Sequence, residues 1–222
     1  SGSYPNNGKL DIMHDGSDED TIGGKVIVKS KGMIESETTL RIGKGATLEV
    51  QDGTVYTSAY AYGDYSSHQG LYNSGTILLN HSGAGFEVNS RYEHFYFYND
   101  ADGKIDIQKG TFHLHSSHSA IYLDKLEEMC LNEGEILQEG EGLLVFEKDG
   151  SLGASSTDEY THVPIVNKGT ISVTGTGQTI GYEPENAFDF GRNRYDDIEY
   201  KTVCFELDGG TDFVNRGTVD IK

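Results

Sequence analysis

The chain has 222 residues and carries 36 acidic against 17 basic side chains, a formal net charge of −19. That balance excludes a nucleic-acid binder, which needs a basic face, and a helix lying on anionic lipid. Abundant glycine (29) with scarce proline (3) points to many tight turns between strands, and two cysteines are too few for a disulfide scaffold or a zinc signature.

Ser1-Gly2-Ser3 reads as an expression-vector scar, with neither the basic nor the apolar region of a signal peptide. Asp15, Asp18, Glu19 and Asp20 make an acidic cluster without the glycine and distal glutamate of a calcium loop, so residues 1–20 read as an acidic leader. From Gly24 on, one pattern recurs: apolar, apolar, Asn, any residue, Gly, polar, β-branched. Its first forms lack the Asn and start Lys25-Val26-Ile27-Val28 after Gly24, and Leu48-Glu49-Val50 after Gly45. The full forms are Leu71-Tyr72-Asn73-Ser74-Gly75-Thr76-Ile77, Cys130-Leu131-Asn132-Glu133-Gly134-Glu135-Ile136, Ile165-Val166-Asn167-Lys168-Gly169-Thr170-Ile171 and Phe213-Val214-Asn215-Arg216-Gly217-Thr218-Val219. A copy with a two-residue insertion joins Phe97-Tyr98-Asn99 to Gly103-Lys104-Ile105.

The residue after each glycine is polar and the next is β-branched, the period-two alternation of a strand with one buried face. Glycine is expected to supply a positive φ at the bend, and Asn to adopt left-handed geometry and bond the turn backbone. The glycines step by 21, 30, 28, 31, 35 and 48 residues, room for three short strands per step. Stacked steps bring equivalent residues about 4.8 Å apart, so the Ile column becomes an interior stack and Asn73, Asn99, Asn132, Asn167 and Asn215 a hydrogen-bonded ladder. The predicted fold is all-β: a right-handed parallel β-helix (β-solenoid) with corner-loop insertions, one unit over 21–222 of six or seven coils. Recurrent N-x-G turns also suit a β-sandwich, but the shared polarity of the flanking columns favours the solenoid. Asp124–Met129 predicts one helical turn. The last copy stops at Ile221-Lys222 without a cap, so the segment reads as a piece of a longer rod.

Several residue groups are candidates for function. Tyr56, Tyr60, Tyr62 and Tyr65 sit in a Tyr/Ser/Gly stretch of the kind that makes recognition loops, whereas Tyr72 and Tyr98, just before their Asn, are expected to pack inside. His113-Leu114-His115, with His118, is the metal candidate: His113 and His115 share one outer face and can hold zinc, copper or nickel if a third ligand arrives, and no nearby Cys or acidic residue completes the set. The long step after Gly169 holds Arg192, Arg194 and Tyr195, a second candidate contact segment. Cys130 falls in the apolar column, and its coil distance from Cys204 disfavours a disulfide.

The N-x-G-T-I copies at Asn73 and Asn167, with N-x-G-T-V at Asn215, resemble the passenger regions of bacterial type V secreted proteins: autotransporter adhesins, vacuolating-cytotoxin-like passengers and filamentous-haemagglutinin-like exoproteins. The resemblance covers roughly residues 20–222 and is architectural. It implies a β-helix on the bacterial surface or secreted, serving adhesion and virulence. The partner it implies is a host surface protein or glycan, or another rod by self-association, with no cofactor and no membrane insertion by this segment. The Gly-Asp-Ser-Gly motif of the serine-protease passengers is absent, Gly63-Asp64-Tyr65-Ser66 being the nearest string. Polysaccharide-active enzymes also use β-helices, but Asp196-Asp197 is the adjacent aspartate pair on offer, and strand neighbours face opposite sides. The sequence therefore reads as a binding segment and not an enzyme, with a non-binding spacer as the further alternative.

Overall fold

Alternation with a recurring glycine builds strands that return to the same three rows. In the computed structural model, residues 9–12, 19–36, 39–58, 69–89, 95–116, 118–119, 126–148, 161–182, 199–208 and 211–222 are described. The chain starts with β1 (Lys9–Ile12) and then makes repeated passes. The first pass is β2 (Glu19–Ile22), β3 (Lys25–Val28) and β4 (Gly32–Ser36); the second is β5 (Thr39–Ile42), β6 (Thr47–Val50) and β7 (Gly53–Ser58). In the third, β8 (Gln69–Asn73) is followed by the long β9 (Thr76–Asn89), and in the fourth β10 (Phe95–Asn99) by β11 (Lys104–Ser116). After β12 (His118–Ser119) and the single turn α1 (Leu126–Met129) come β13 (Cys130–Asn132) and β14 (Glu135–Lys148). The short β15 (Thr161–His162) precedes the sixth pass: β16 (Ile165–Asn167), β17 (Thr170–Val173), an excursion through β18 (Gln178–Tyr182) and β19 (Glu199–Val203), then β20 (Phe205–Asp208). β21 (Phe213–Asn215) and β22 (Thr218–Ile221) begin a seventh.

Among the described residues the first strands of the passes form a seven-stranded sheet, β2-β5-β8-β10-β13-β16-β21, parallel throughout. We call this row one. The remaining strands make an eleven-stranded sheet. Its two rows are continuous within β9, β11 and β14, where each long strand serves both. Row two aligns β3, β6, β9, β11, β14, β17 and β22, and row three aligns β1, β4, β7, β9, β11, β14 and β20. The junction carries irregular register, between Ile107 and Lys109 on β11. β12–β15 and β18–β19 are antiparallel pairs outside the rows. Strands β1 and β2 correct one expectation: residues 9–12 and 19–20, read as part of an acidic leader, pair in parallel with β4 and β5.

The inward columns are the core. Leu48, Ile77, Ile105, Ile136 and Ile171 stack along row two, all at most 1% exposed. Phe86 and Phe112 stack along row three with ring centroids 5.2 Å apart, and Phe97 from row one meets Phe112 edge-on at 6.2 Å. Each such side chain contributes about 1.5–3 kcal/mol by leaving water. Gln138 interrupts the apolar column of Leu79 and Ile107 yet is fully buried. Its amide is satisfied, Nε2 donating to Gly142 O at 2.6 Å and Oε1 accepting from Gly175 N at 3.0 Å.

The asparagine column is a one-way ladder. Nδ2 of Asn73 donates to Oδ1 of Asn99 (2.8 Å), Asn99 to Asn132 (2.7 Å), Asn132 to Asn167 (2.7 Å) and Asn167 to Asn215 (2.7 Å). The asparagines end row-one strands instead of adopting left-handed geometry; the two non-glycine residues with positive φ among the described ones are Ser30 and Lys31. The repeat glycines need correction too. Gly45 has a positive φ (77°), but Gly75, Gly103, Gly134, Gly169 and Gly217 do not. Their requirement is space: a Cβ at Gly169 would collide with the carbonyls of Glu133 and Gly134, and one at Gly217 with those of Lys168 and Gly169. Stacked turns approach too closely there for any side chain.

Candidate functional site

Strand parity places His113 and His115 outward, because Phe112 and Leu114 between and beside them are fully buried. Parallel register then supplies neighbours that the local sequence lacks. His113 lies opposite Glu87 on β9, and His115 opposite Glu147 on β14. Three consecutive passes therefore converge on one spot of the row-three outer face.

The geometry is close. His113 Nε2 stands 2.7 Å from Glu147 Oε2, His115 Nδ1 3.5 Å from the same oxygen, and His115 Nε2 3.4 Å from Glu87 Oε1. The two imidazole rings have centroids 3.8 Å apart, tilted by 31°. His115 is the most enclosed, its side chain 13% exposed. Both Nε2 atoms are shielded from solvent, yet neither makes an aligned hydrogen bond: the 2.7 Å contact of His113 is a close approach, not a directed N–H···O bond. Burial, helped by the neighbouring His115, lowers the His113 pKa; Glu147 opposes the shift without overcoming it. The unprotonated imidazole is the form that ligates metals. Among the described residues, His113, His115 and Glu147 are the set that could hold a metal ion, their donor atoms all within 4.8 Å of one another. Reading within the segment missed Glu147, which the register alone brings in.

Tyr56 occupies the same outward column, opposite Glu35 on one side and Glu87 on the other. It is half-buried. Tyr60, Tyr62 and Tyr65 lie outside the described residues, as do Arg192, Arg194, Tyr195 and the pair Asp196-Asp197. In chain order the tyrosines fall between β7 and β8, whereas the arginines fall between β18 and β19.

Tyr72 and Tyr98 do not pack inside. Their neighbours Leu71, Asn73, Phe97 and Asn99 take the inward positions, so the tyrosines face out and are half-buried. Their rings lie 5.0 Å apart, and the Arg41 guanidinium sits over Tyr72 at 4.3 Å from its centroid. Tyr98 Oη donates to Glu133 at 2.6 Å, and that carboxylate raises the phenol's pKa above its ordinary value. Cys130 and Cys204 are both free thiols. Burial pushes the Cys130 thiol up to about 12, which makes it an inert core residue.

Comparison with protein-family models, curated proteins and solved structures finds no match to this chain.

Proposed function

We propose that the chain is a segment of a right-handed parallel β-helix, a β-solenoid of the bacterial type V passenger kind, displayed on the cell surface or secreted. In this reading it is an adhesive rod that presents connections between its strands to a host protein, a glycan, a neighbouring cell or a second rod. The observation that supports it is where the chain varies in length. From row one to row two the connections are short and alike, such as 74–75, 133–134, 168–169 and 216–217. From row three to row one they range from two residues (37–38) to the stretches 59–68, 90–94 and 149–160. Apart from the excursion 174–204 between rows two and three, the variation gathers at this one edge, the arrangement of a repeat protein that binds through inserted connections. Tyr60, Tyr62 and Tyr65 belong to that edge in chain order, and Tyr56 leads into it.

The experiment measures binding of labelled protein to epithelial cells and to bacteria, with and without prior sialidase or protease treatment. A trimmed variant is the control. Thr57 and Gly70 hold the register positions of Ser36 and Thr39, which two residues connect. Replacing 58–69 by two residues is therefore expected to preserve the stack and abolish saturable binding. Loss of wild-type binding after one treatment names the receptor class. Absence of saturable binding by the wild type, with the fold intact, overturns the reading and leaves a spacer.

A further inference from the structure

The outer face of row three holds a chemical set that adhesion through the strand connections does not use. Two imidazoles and a carboxylate from β11 and β14 meet with their donor atoms within 4.8 Å, and Glu87 from β9 lies 3.4 Å from His115 Nε2. We propose that His113, His115 and Glu147, with Glu87 as the fourth ligand, bind one divalent transition-metal ion of the zinc class and so fasten three successive passes.

Three observations carry this. First, two solvent-shielded ring nitrogens have no aligned hydrogen-bond partner, an expensive state that a cation on their lone pairs relieves. Second, donors about 2.1 Å from a shared tetrahedral ion stand about 3.4 Å apart, and the two contacts made by the Nε2 atoms, 2.7 Å from His113 to Glu147 and 3.4 Å from His115 to Glu87, lie at or below that spacing. Small side-chain rotations, without backbone movement, then complete the set. Third, the charges balance: two carboxylates offset a dication. Mixed nitrogen and oxygen donors select zinc, copper or nickel over calcium and magnesium, which prefer oxygen alone. The site goes beyond the adhesive reading and is independent of it.

The 222-residue protein, freed of metal by chelation, is titrated with zinc chloride, and separately with calcium chloride, by isothermal calorimetry. The expected result is one zinc per chain, no calcium uptake, and a raised thermal midpoint in the presence of zinc. Affinity is expected to fall at least about tenfold in His115→Ala and in Glu147→Gln, and less in Glu87→Gln. A His118→Ala/His162→Ala variant is the control, since these residues occupy opposed positions on the nearby β12–β15 pair. It is expected to bind as the wild type does. Far-UV circular dichroism checks that each variant is folded; Glu147→Gln, a conservative change at a one-third exposed side chain, keeps the test valid if a histidine variant is not. The proposal is overturned if zinc is not bound at micromolar concentrations. It is equally overturned if zinc binds with unchanged affinity to Glu147→Gln and His113→Ala/His115→Ala, or loses its site in the His118/His162 control.

Discussion

Truncating the middle of the amide ladder tests what holds the passes in register. Asn132 is 1% exposed and its neighbours Asn99 and Asn167 are fully buried. Asn132→Ala removes the acceptor of Asn99 Nδ2 and the donor to Asn167 Oδ1, two bonds of 2.7 Å. Asn99 Nδ2 keeps only long contacts, to Glu135 O at 3.3 Å and Gly103 O at 3.4 Å; Asn167 Oδ1 loses its ladder donor. A buried donor and a buried acceptor are each left short, at about 1–3 kcal/mol apiece, so the expected loss is about 2–6 kcal/mol. Asn215→Ala removes one ladder bond, with two longer contacts to Gly217, at an exposed position and is expected to cost about 1 kcal/mol. Asn132→Leu, branched at Cγ like asparagine but larger and unable to bond, fills the space without the hydrogen bonds and is expected to be no better than alanine. The assay is urea unfolding followed by far-UV circular dichroism, comparing midpoints and slopes, because a stacked repeat can open in parts. The reasoning is refuted if Asn132→Leu matches the wild type, or if Asn132→Ala costs no more than Asn215→Ala.

Other expectations follow from the same packing. Gly169→Ala should lower stability by more than about 2 kcal/mol, since backbone carbonyls of the preceding pass occupy the Cβ position, whereas Gly24→Ala, with nothing within 4 Å, should be neutral in thermal unfolding. Glu49, held to a pKa of about 2 by Gln51, Lys25 and Asn80, favours the fold when ionised. Its contribution, at most about 3 kcal/mol, is complete above the ordinary carboxylate pKa of 4.5 and is lost as pH falls from there through about 2; Glu49→Gln should flatten that part of the stability profile. In a thiol titration of the native protein Cys130 should stay unreactive and the half-buried Cys204 should react, both becoming reactive in denaturant.

Sequence periodicity carries the repeat well because each column answers to one physical demand. The Ile column needs burial, the Asn column needs amide partners above and below, and the glycine column needs an absent side chain. The first two demands are legible in residue type. The third is legible only as a requirement for glycine, and its cause, carbonyls of the adjacent turn, exists only once turns are stacked. Tyr72 and Tyr98 were open to parity: they precede asparagines that face in, so they face out. The acidic neighbours of His113 and His115 were hidden by irregular register. The glycine step of 31 from Gly103 to Gly134 would set Phe146 opposite His115, an inward residue. An extra residue of β14 between the partners of Ile107 and Lys109 shifts the pairing to Glu147. On the other side the step of 28 would set Gly85 opposite His113, and the irregularity makes it Glu87. A one-residue slip exchanges the faces of a strand, so no alignment of repeats finds this site without the bulge.

The bulge and the ladder together explain how a stack can vary and stay in order. Row one has little to define register by shape, since its inward positions mix Leu71, Phe97, Cys130 and Ile165. The amide column supplies what shape does not: a slip by two residues along row one would set Asn132 against an apolar side chain and strand two amides at once. Every donor points to the following pass, so each new turn is offered one acceptor position. With register fixed there, the edge between rows three and one is free to carry connections of any length, because closing a longer one adds only a slowly rising entropy cost. The row-two to row-three junction is likewise free to add a residue, which is what brings two glutamates to two histidines. The features proposed to bind, at the edge and on the outer face, sit where this ladder permits change.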